Sequence, residues 1–203
     1  MSEHCNSHGR RPFVLKSVAA LCSAGAASHI AARPVEIALV PHKEPPGPSA
    51  VYFPNMVVGA HTDEEFVLYD DLIRGRIILL SFIEIRSERS RIMTRNLVEL
   101  KHELSDRIGN DVFMYTLTLD PTHDTPLKLG EFAKEHGVGD NWLFINAGIE
   151  GTSLLRERLS AVNGIVRYGN EALGRWGSFV GGTSVASMVE RFSWVGFQKR
   201  SSG

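Results

Sequence analysis

One stretch fixes most of what this chain can become. Arg76-Ile-Ile-Leu-Leu-Ser-Phe-Ile83 is an unbroken aliphatic and β-branched run, the pattern of a central strand buried on both faces. Downstream, Met93, Leu97, Leu100, Leu104 and Ile108 recur at steps of four, three, four and four, which places them on one face of a helix. Gly109 is expected to end that helix in a left-handed cap, and Val112 to Leu119 reads as a second strand. Strand, long helix, strand makes a βαβ unit, so the fold class is α/β with a central sheet flanked by helices.

The flanking segments extend this plan. Met56 to Tyr69 alternates around Thr62-Asp63-Glu64 as an N-terminal β-hairpin extension would. After the second strand, Pro126 suits a first helical turn with Thr125 as its cap, and Leu129, Phe132 and Ala133 give that helix an apolar face closed by Gly137. Trp142 to Ile145 reads as a short strand and Ser153 to Leu159 as a short helix. The remainder is rich in glycine, with a last amphipathic stretch from Val185 to Phe197. Upstream, residues 33–50 carry Pro34, Pro41, Pro45, Pro46 and Pro48, whose missing N–H donors favour an extended approach segment. Val35 to Val40 within it offers one short edge strand.

The first 32 residues read as a cleaved export signal. Arg10, Arg11 and Lys16 precede Ser17-Val-Ala-Ala-Leu-Cys-Ser-Ala-Gly-Ala-Ala27, an alanine-dominated core far too short for a membrane anchor. Gly9-Arg10-Arg11-Pro12-Phe13-Val14-Leu15-Lys16 resembles a twin-arginine signal, and Ala24-Gly25-Ala26 offers a cleavage site. A lipoprotein is disfavoured because Leu21 is a poor residue to precede a modified Cys22. The expected location is periplasmic or exported, with no transmembrane anchor after cleavage. The expected layout is a leader at 1–32, the proline-rich segment at 33–50, one domain at 51–197 and a tail at 198–203.

Cysteine position matters here more than cysteine number. The chain has only Cys5 and Cys22, and both fall in the leader. Beyond residue 27 there remain 19 basic and 22 acidic residues, a mildly acidic chain without thiols. Disulfide exchange and cysteine peroxidase chemistry need a thiolate and are therefore excluded for such a mature chain. The whole chain carries a formal charge of -1, which leaves no basic footprint for nucleic acid. Neither a phosphate-binding Gly-x-x-x-x-Gly-Lys loop nor a Gly-x-Ser-x-Gly elbow is present, and Gly181-Gly182-Thr183-Ser184 reads as a turn.

The order of motifs resembles the SCO/SenC family. Tyr52-Phe-Pro-Asn-Met-Val-Val58, Phe66-Val-Leu-Tyr-Asp-Asp-Leu-Ile-Arg-Gly75 and Met93-Thr-Arg-Asn-Leu97 carry part of the resemblance. The most specific piece is Leu119-Asp-Pro-Thr-His-Asp-Thr-Pro126 followed by Asn141-Trp142-Leu-Phe144, similar to the family's turn (here Asp120, Pro121, Asp124, Thr125, Pro126), helix and Trp strand. Gly164-Ile-Val-Arg-Tyr-Gly-Asn170 with Trp176 resembles the end of one branch. The resemblance implies a thioredoxin-like fold with a mixed sheet, and a copper chaperone of cytochrome oxidase assembly.

That family's chemistry rests on a Cys-x-x-x-Cys pair and a distant His, soft donors suited to copper. By the resemblance the pair falls at Arg86 and Ser90 or at Ser87 and Arg91, and the His near Val162 or Asn163. All three ligands are absent. The expectation is a degenerate member with no cofactor and no thiol oxidoreductase activity, binding a protein partner as an accessory in respiratory oxidase or periplasmic metalloprotein assembly.

Two alternatives stand beside it. A carrier of copper or another metal would need noncanonical ligands. His29, His42, His61, His102, His123 and His136 remain. His102 shares a helix face with Asp106, while His123 lies beside Asp120 and Asp124. An enzyme acting on an anionic small molecule would use Arg86, Arg89, Arg91 and Arg95, which crowd the start of the long helix against its dipole and invite an anion. The same arginines are the candidate contact for a partner, unless Glu84, Glu88 and Glu99 simply pair with them. Trp176, Trp194 and Phe197 are expected to pack into the core rather than form an aromatic patch.

Overall fold

The βαβ unit read from the sequence lies at the centre of the molecule. A computed structural model describes residues 37–196. The leader, His29, Pro34, Val35, Phe197 and the tail lie outside the described residues.

Strands β1 (Val57–Ala60) and β2 (Glu65–Val67) form the expected hairpin, with Asp63 at φ 64° in its turn, and a single π-helical stretch, Leu68–Ile73, follows. Then come β3 (Ile77–Ile83), α1 (Glu88–Glu103), β4 (Val112–Thr118), α2 (Pro126–Glu135), β5 (Trp142–Asn146), α3 (Gly148–Leu159), β6 (Ile165–Asn170), β7 (Arg175–Val180) and α4 (Val185–Ser193). The seven strands make one mixed sheet in the order β2-β1-β5-β4-β3-β6-β7. Strands β3, β4 and β5 are parallel, whereas β1, β6 and β7 join antiparallel to their neighbours.

The pleat of β3 divides the core. Leu79 and Ile83 face Met93, Leu97 and Leu100 of α1, Leu129 and Phe132 of α2, and Met188 and Phe192 of α4. Ile78, Leu80 and Phe82 face Leu155 and Leu159 of α3 together with Phe53, Met56, Leu72 and Ile73. Burial on both faces is why the run has no polar alternation. Its one polar member, Ser81, meets Thr116 Oγ1 at 2.7 Å, and that oxygen accepts from Trp142 Nε1 at 2.8 Å, so the buried hydroxyls are satisfied.

Four expectations need correction. Helix α1 ends at Glu103, not beside Gly109: beyond it the Ser105 and Arg107 N–H groups bond three residues back, to the His102 and Leu104 carbonyls, in successive turns. Ile108 reaches the core from the loop. Helix α3 begins at Gly148, five residues before Ser153, its start masked by Gly148 and Gly151. The glycine-rich region holds the β6–β7 hairpin, which the sequence pattern did not reveal. Among residues 37–40, only an isolated bridge between Leu39 and Met56 stands in place of an edge strand. No helix among the described residues is long and apolar enough to cross a membrane.

Candidate functional site

Parallel strands β3 and β4, and β5 beside them, all end at one edge of the sheet, where α/β folds place their sites. Three loops and the approach to β6 meet there. Ser90, in the first turn of α1, is fully buried. Its Oγ accepts from the Glu84 N–H at 3.1 Å and donates to Asn163 Oδ1 at 2.8 Å. Ser87 is the N-cap residue of α1, without a side-chain capping bond, and Arg91 is exposed. Of the two positions before Gly164, Asn163 points into the site and Val162 is 54% exposed.

Asp124 ties the loops together. Its carboxylate is buried, accepts from the Ile85 N–H at 3.2 Å and from Thr118 Oγ1 at 2.6 Å, and meets His123 Nδ1 at 2.9 Å. The turn Asp120–Asp124 is held from the far side by Asn146 Nδ2, which donates to the Pro121 and Asp124 carbonyls at 2.9 and 3.0 Å. Thr125 caps α2 as expected, accepting from the Lys128 N–H, with Pro126 at the first helical position. Asp124 is therefore a cross-loop tie, because the loop after β3 passes within reach of its carboxylate. Asn146 and Thr118 were not singled out from the sequence. A polar residue ending an otherwise apolar strand was the available signal.

The four arginines are all exposed, but they do not converge on one point. Arg86 donates to Asp120 Oδ2 at 2.9 Å, Arg95 lies 3.9 Å from Glu88, and Arg89 lies across Gly164, where a Cβ would collide with its side chain. Arg91 has no carboxylate within 4.0 Å among the described residues. Glu84 pairs instead with Arg156 at 3.7 Å, and Glu99 pairs with none of the four, so only Glu88 among the expected acidic partners serves the cluster. Burial opposes ionisation of Asp120, yet hydrogen bonds from Arg86, Thr122 and the His123 N–H outweigh it and hold the carboxyl below its usual range.

Most histidines have structural partners. His61 Nδ1 accepts from the Phe144 N–H at 3.2 Å, and burial lowers its pKa. His136 stacks on Phe132, and His42 meets Asp70. His102 is exposed at the end of α1, three residues before the turn holding Asp106. Only Asp120, His123 and Asp124 bring three donor atoms within 4.8 Å of one another among the described residues. Trp176 packs against Phe53 at 5.1 Å, whereas Trp194 is 43% exposed and so is not a core residue.

Solved structures share this fold. A SCO1/SenC family lipoprotein from Bacillus anthracis superposes with a TM-score of 0.61 at 14% identity, covering 70% of this chain and 93% of its own. Arabidopsis thaliana ScoI with copper bound gives 0.57 at 13% identity, over 66% and 91%. The chain shares the thioredoxin-like fold of these proteins. MTB dsbF, in mixed oxidized and reduced forms, gives 0.55 at 10% identity over 74% and 99%, so the likeness extends across thioredoxin-like proteins. No protein-family model and no curated protein matches the sequence.

Copper fits this site poorly. The side chains gathered between α1 and the β6 approach are a hydroxyl, an amide and, nearby, a guanidinium. Copper in its soft state selects thiolate and imidazole, and a fixed cation opposes any metal. The Ser90 hydroxyl and the Asn163 carbonyl oxygen moreover already bond each other.

Proposed function

We propose that this chain is an exported SCO/SenC-like protein that works by binding. In this reading residues 1–32 are a twin-arginine leader, 51–197 the working domain and 198–203 a tail. The protein serves as an accessory factor in respiratory oxidase or periplasmic metalloprotein assembly, without copper or thiol chemistry of its own. The observation that carries the reading is the Ser90–Asn163 hydrogen bond, at the position where the resemblance puts metal ligands, in a chain with no cysteine after Cys22. The partner is a protein with an acidic surface that meets Arg86, Arg89 and Arg91, whose guanidinium forks suit carboxylates.

Two measurements test this. Protein purified from the exported fraction and dialysed should carry only traces of copper; a stoichiometric load would overturn the reading. Reversing Arg86 and Arg91 to Glu should abolish capture of the partner, and unchanged capture would count against the arginine contact.

A second reading rests on the grouping of Asp120, His123 and Asp124. It makes the protein a carrier of a harder metal through oxygen and imidazole donors. Asp124 Oδ2 already accepts from the Ile85 N–H and Thr118 Oγ1 and Asp120 Oδ2 accepts from Arg86, so a metal would compete with those bonds or take the other oxygens. Metal retained by the native chain and lost in His123→Ala would favour it.

A further inference from the structure

On the face of the sheet opposite α1, a cleft of about 380 Å³ opens between the end of α3 and the hairpin β6–β7. Its lining is Tyr52, Phe53, Arg158, Leu159, Arg167 and Trp176, with Gly174 at the rim. The floor is aromatic and fixed. Trp176 crosses the strand pair above Gly169, where a Cβ would collide with the indole ring, and its Nε1 donates to Ser49 Oγ at 2.9 Å. Phe53 tilts against it at 5.1 Å. The indole N–H is therefore spent, and the apolar ring surface is what the floor presents.

The walls are cationic. Arg167 is anchored through Nε and one Nη to the Leu159 carbonyl, which leaves its other Nη without a bond. Arg158 makes one long bond, 3.4 Å, to the Val51 carbonyl. Neither guanidinium has a carboxylate within 4.0 Å among the described residues, and no acidic side chain lines the cleft. Two guanidiniums without a carboxylate partner, above an apolar aromatic floor in a volume suited to a small ligand, suit a ligand with an apolar ring and one anionic group. We propose that this cleft binds a small aromatic carboxylate, its ring laid on Trp176 and Phe53 and its carboxylate held by Arg158 and Arg167. The site is separate from the Ser90–Asn163 region and independent of the function proposed there.

The test uses 1-naphthoate as the probe and the uncharged 1-naphthamide as its control, titrated calorimetrically into the full chain. Saturable binding of 1-naphthoate at one site is expected, with the amide weaker by roughly tenfold or more, the value of a charge-assisted hydrogen bond. Arg158→Gln, an exposed substitution that leaves the fold intact, should weaken the acid by a similar factor and leave the amide unchanged. Thermal melts of the variant check that folding is retained. Arg86→Glu/Arg91→Glu should bind the probe as the unaltered chain does. Absence of saturable binding at millimolar probe, equal affinity for acid and amide, or indifference to Arg158→Gln would each overturn the proposal.

Discussion

Ser90 Oγ donates to Asn163 Oδ1 across 2.8 Å, joining the first turn of α1 to the approach of β6 over 73 residues of sequence. The same hydroxyl accepts from the Glu84 N–H, so one small side chain closes the β3 loop, the helix start and the β6 approach together. A hydroxyl and an amide oxygen are complementary at this spacing, and the bond forms without any ion.

This contact makes the register of the missing ligands testable. If the Cys-x-x-x-Cys positions are Arg86 and Ser90, then Arg86→Cys/Ser90→Cys/Asn163→His should assemble two thiolates and an imidazole and retain about one copper per chain after dialysis. The alternative set, Ser87→Cys/Arg91→Cys/Asn163→His, should not, because of the four positions only Ser90 reaches Asn163. Equal copper loading of both variants would refute the first register.

Asp124 should be the costliest polar residue of the region. It is buried and its carboxylate meets three partners on three segments, Ile85, Thr118 and His123. Asp124→Ala leaves the Ile85 N–H and the Thr118 hydroxyl without an acceptor, at about 2–3 kcal/mol. Chemical denaturation of the two chains measures the difference. A loss below about 0.5 kcal/mol would show that the tie is dispensable.

Acid should loosen the proline-rich segment before it unfolds the sheet. Asp70 accepts from the Lys43 N–H at 2.9 Å and from Asn55 Nδ2 at 3.1 Å, meets His42 at 3.1 Å and pairs with Arg74. Burial opposes its ionisation, but these partners outweigh that effect and hold its carboxyl far below the usual value near 4. Asp71, bonded first by Lys43, moves the same way. A folded pKa below the unfolded one gives stability that is complete above about pH 4 and is lost as pH falls through the folded value. Asp70→Asn should therefore be less stable at neutral pH and show a shallower loss on acidification. Parallel acid profiles for the two chains would contradict the assignment.

Much of this fold was legible because one physical signal dominated each element. The continuous burial of β3 and β4 and the helical spacing of Met93, Leu97 and Leu100 read directly, and Thr125-Pro126 announced α2. The β6–β7 hairpin did not read, because its glycines mimic a loop. In the structure they make room for rings: Trp176 sits over Gly169, and Tyr168 over Gly177. Helix α3 was shortened for a related reason, as Gly151 is there to admit Met56 and Ala147, not to break the helix. The site was half legible. Local motifs pointed to Asp120, Asp124 and the arginines, but pairings such as Arg86 with Asp120 and Ser90 with Asn163 depend on long-range packing that spacing cannot encode.

The close fit of Trp176 over Gly169 makes a direct test of the hairpin. Gly169→Ala inserts a methyl against the indole ring and the Arg175 carbonyl, which lies 2.6 Å from the added carbon. Backbone cannot yield as a flexible side chain can, so a loss of about 1–3 kcal/mol is expected, with a shift in tryptophan emission as the ring is displaced. Unaltered stability and emission would mean that the hairpin is looser than its geometry.

The Arg86–Asp120 pair decides whether charge reversal is a clean probe of partner binding. Arg86 is 68% exposed and Asp120 27% exposed, and a pair so open to water and salt is worth about 0–1 kcal/mol. Arg86→Glu places a second carboxylate near Asp120, but the exposed side chain can swing into solvent. The substitution should therefore cost no more than about 1 kcal/mol and leave the Ser90–Asn163 bond in place. A double-mutant cycle with Asp120→Asn measures the coupling. If it exceeds about 2 kcal/mol, the pair is structural, and loss of partner capture in Arg86→Glu would report unfolding of the loop instead of a lost contact. If it stays small while capture is abolished and returns in neither 50 mM nor 150 mM salt (roughly the range over which surface ion pairs are screened), the arginine itself makes the contact.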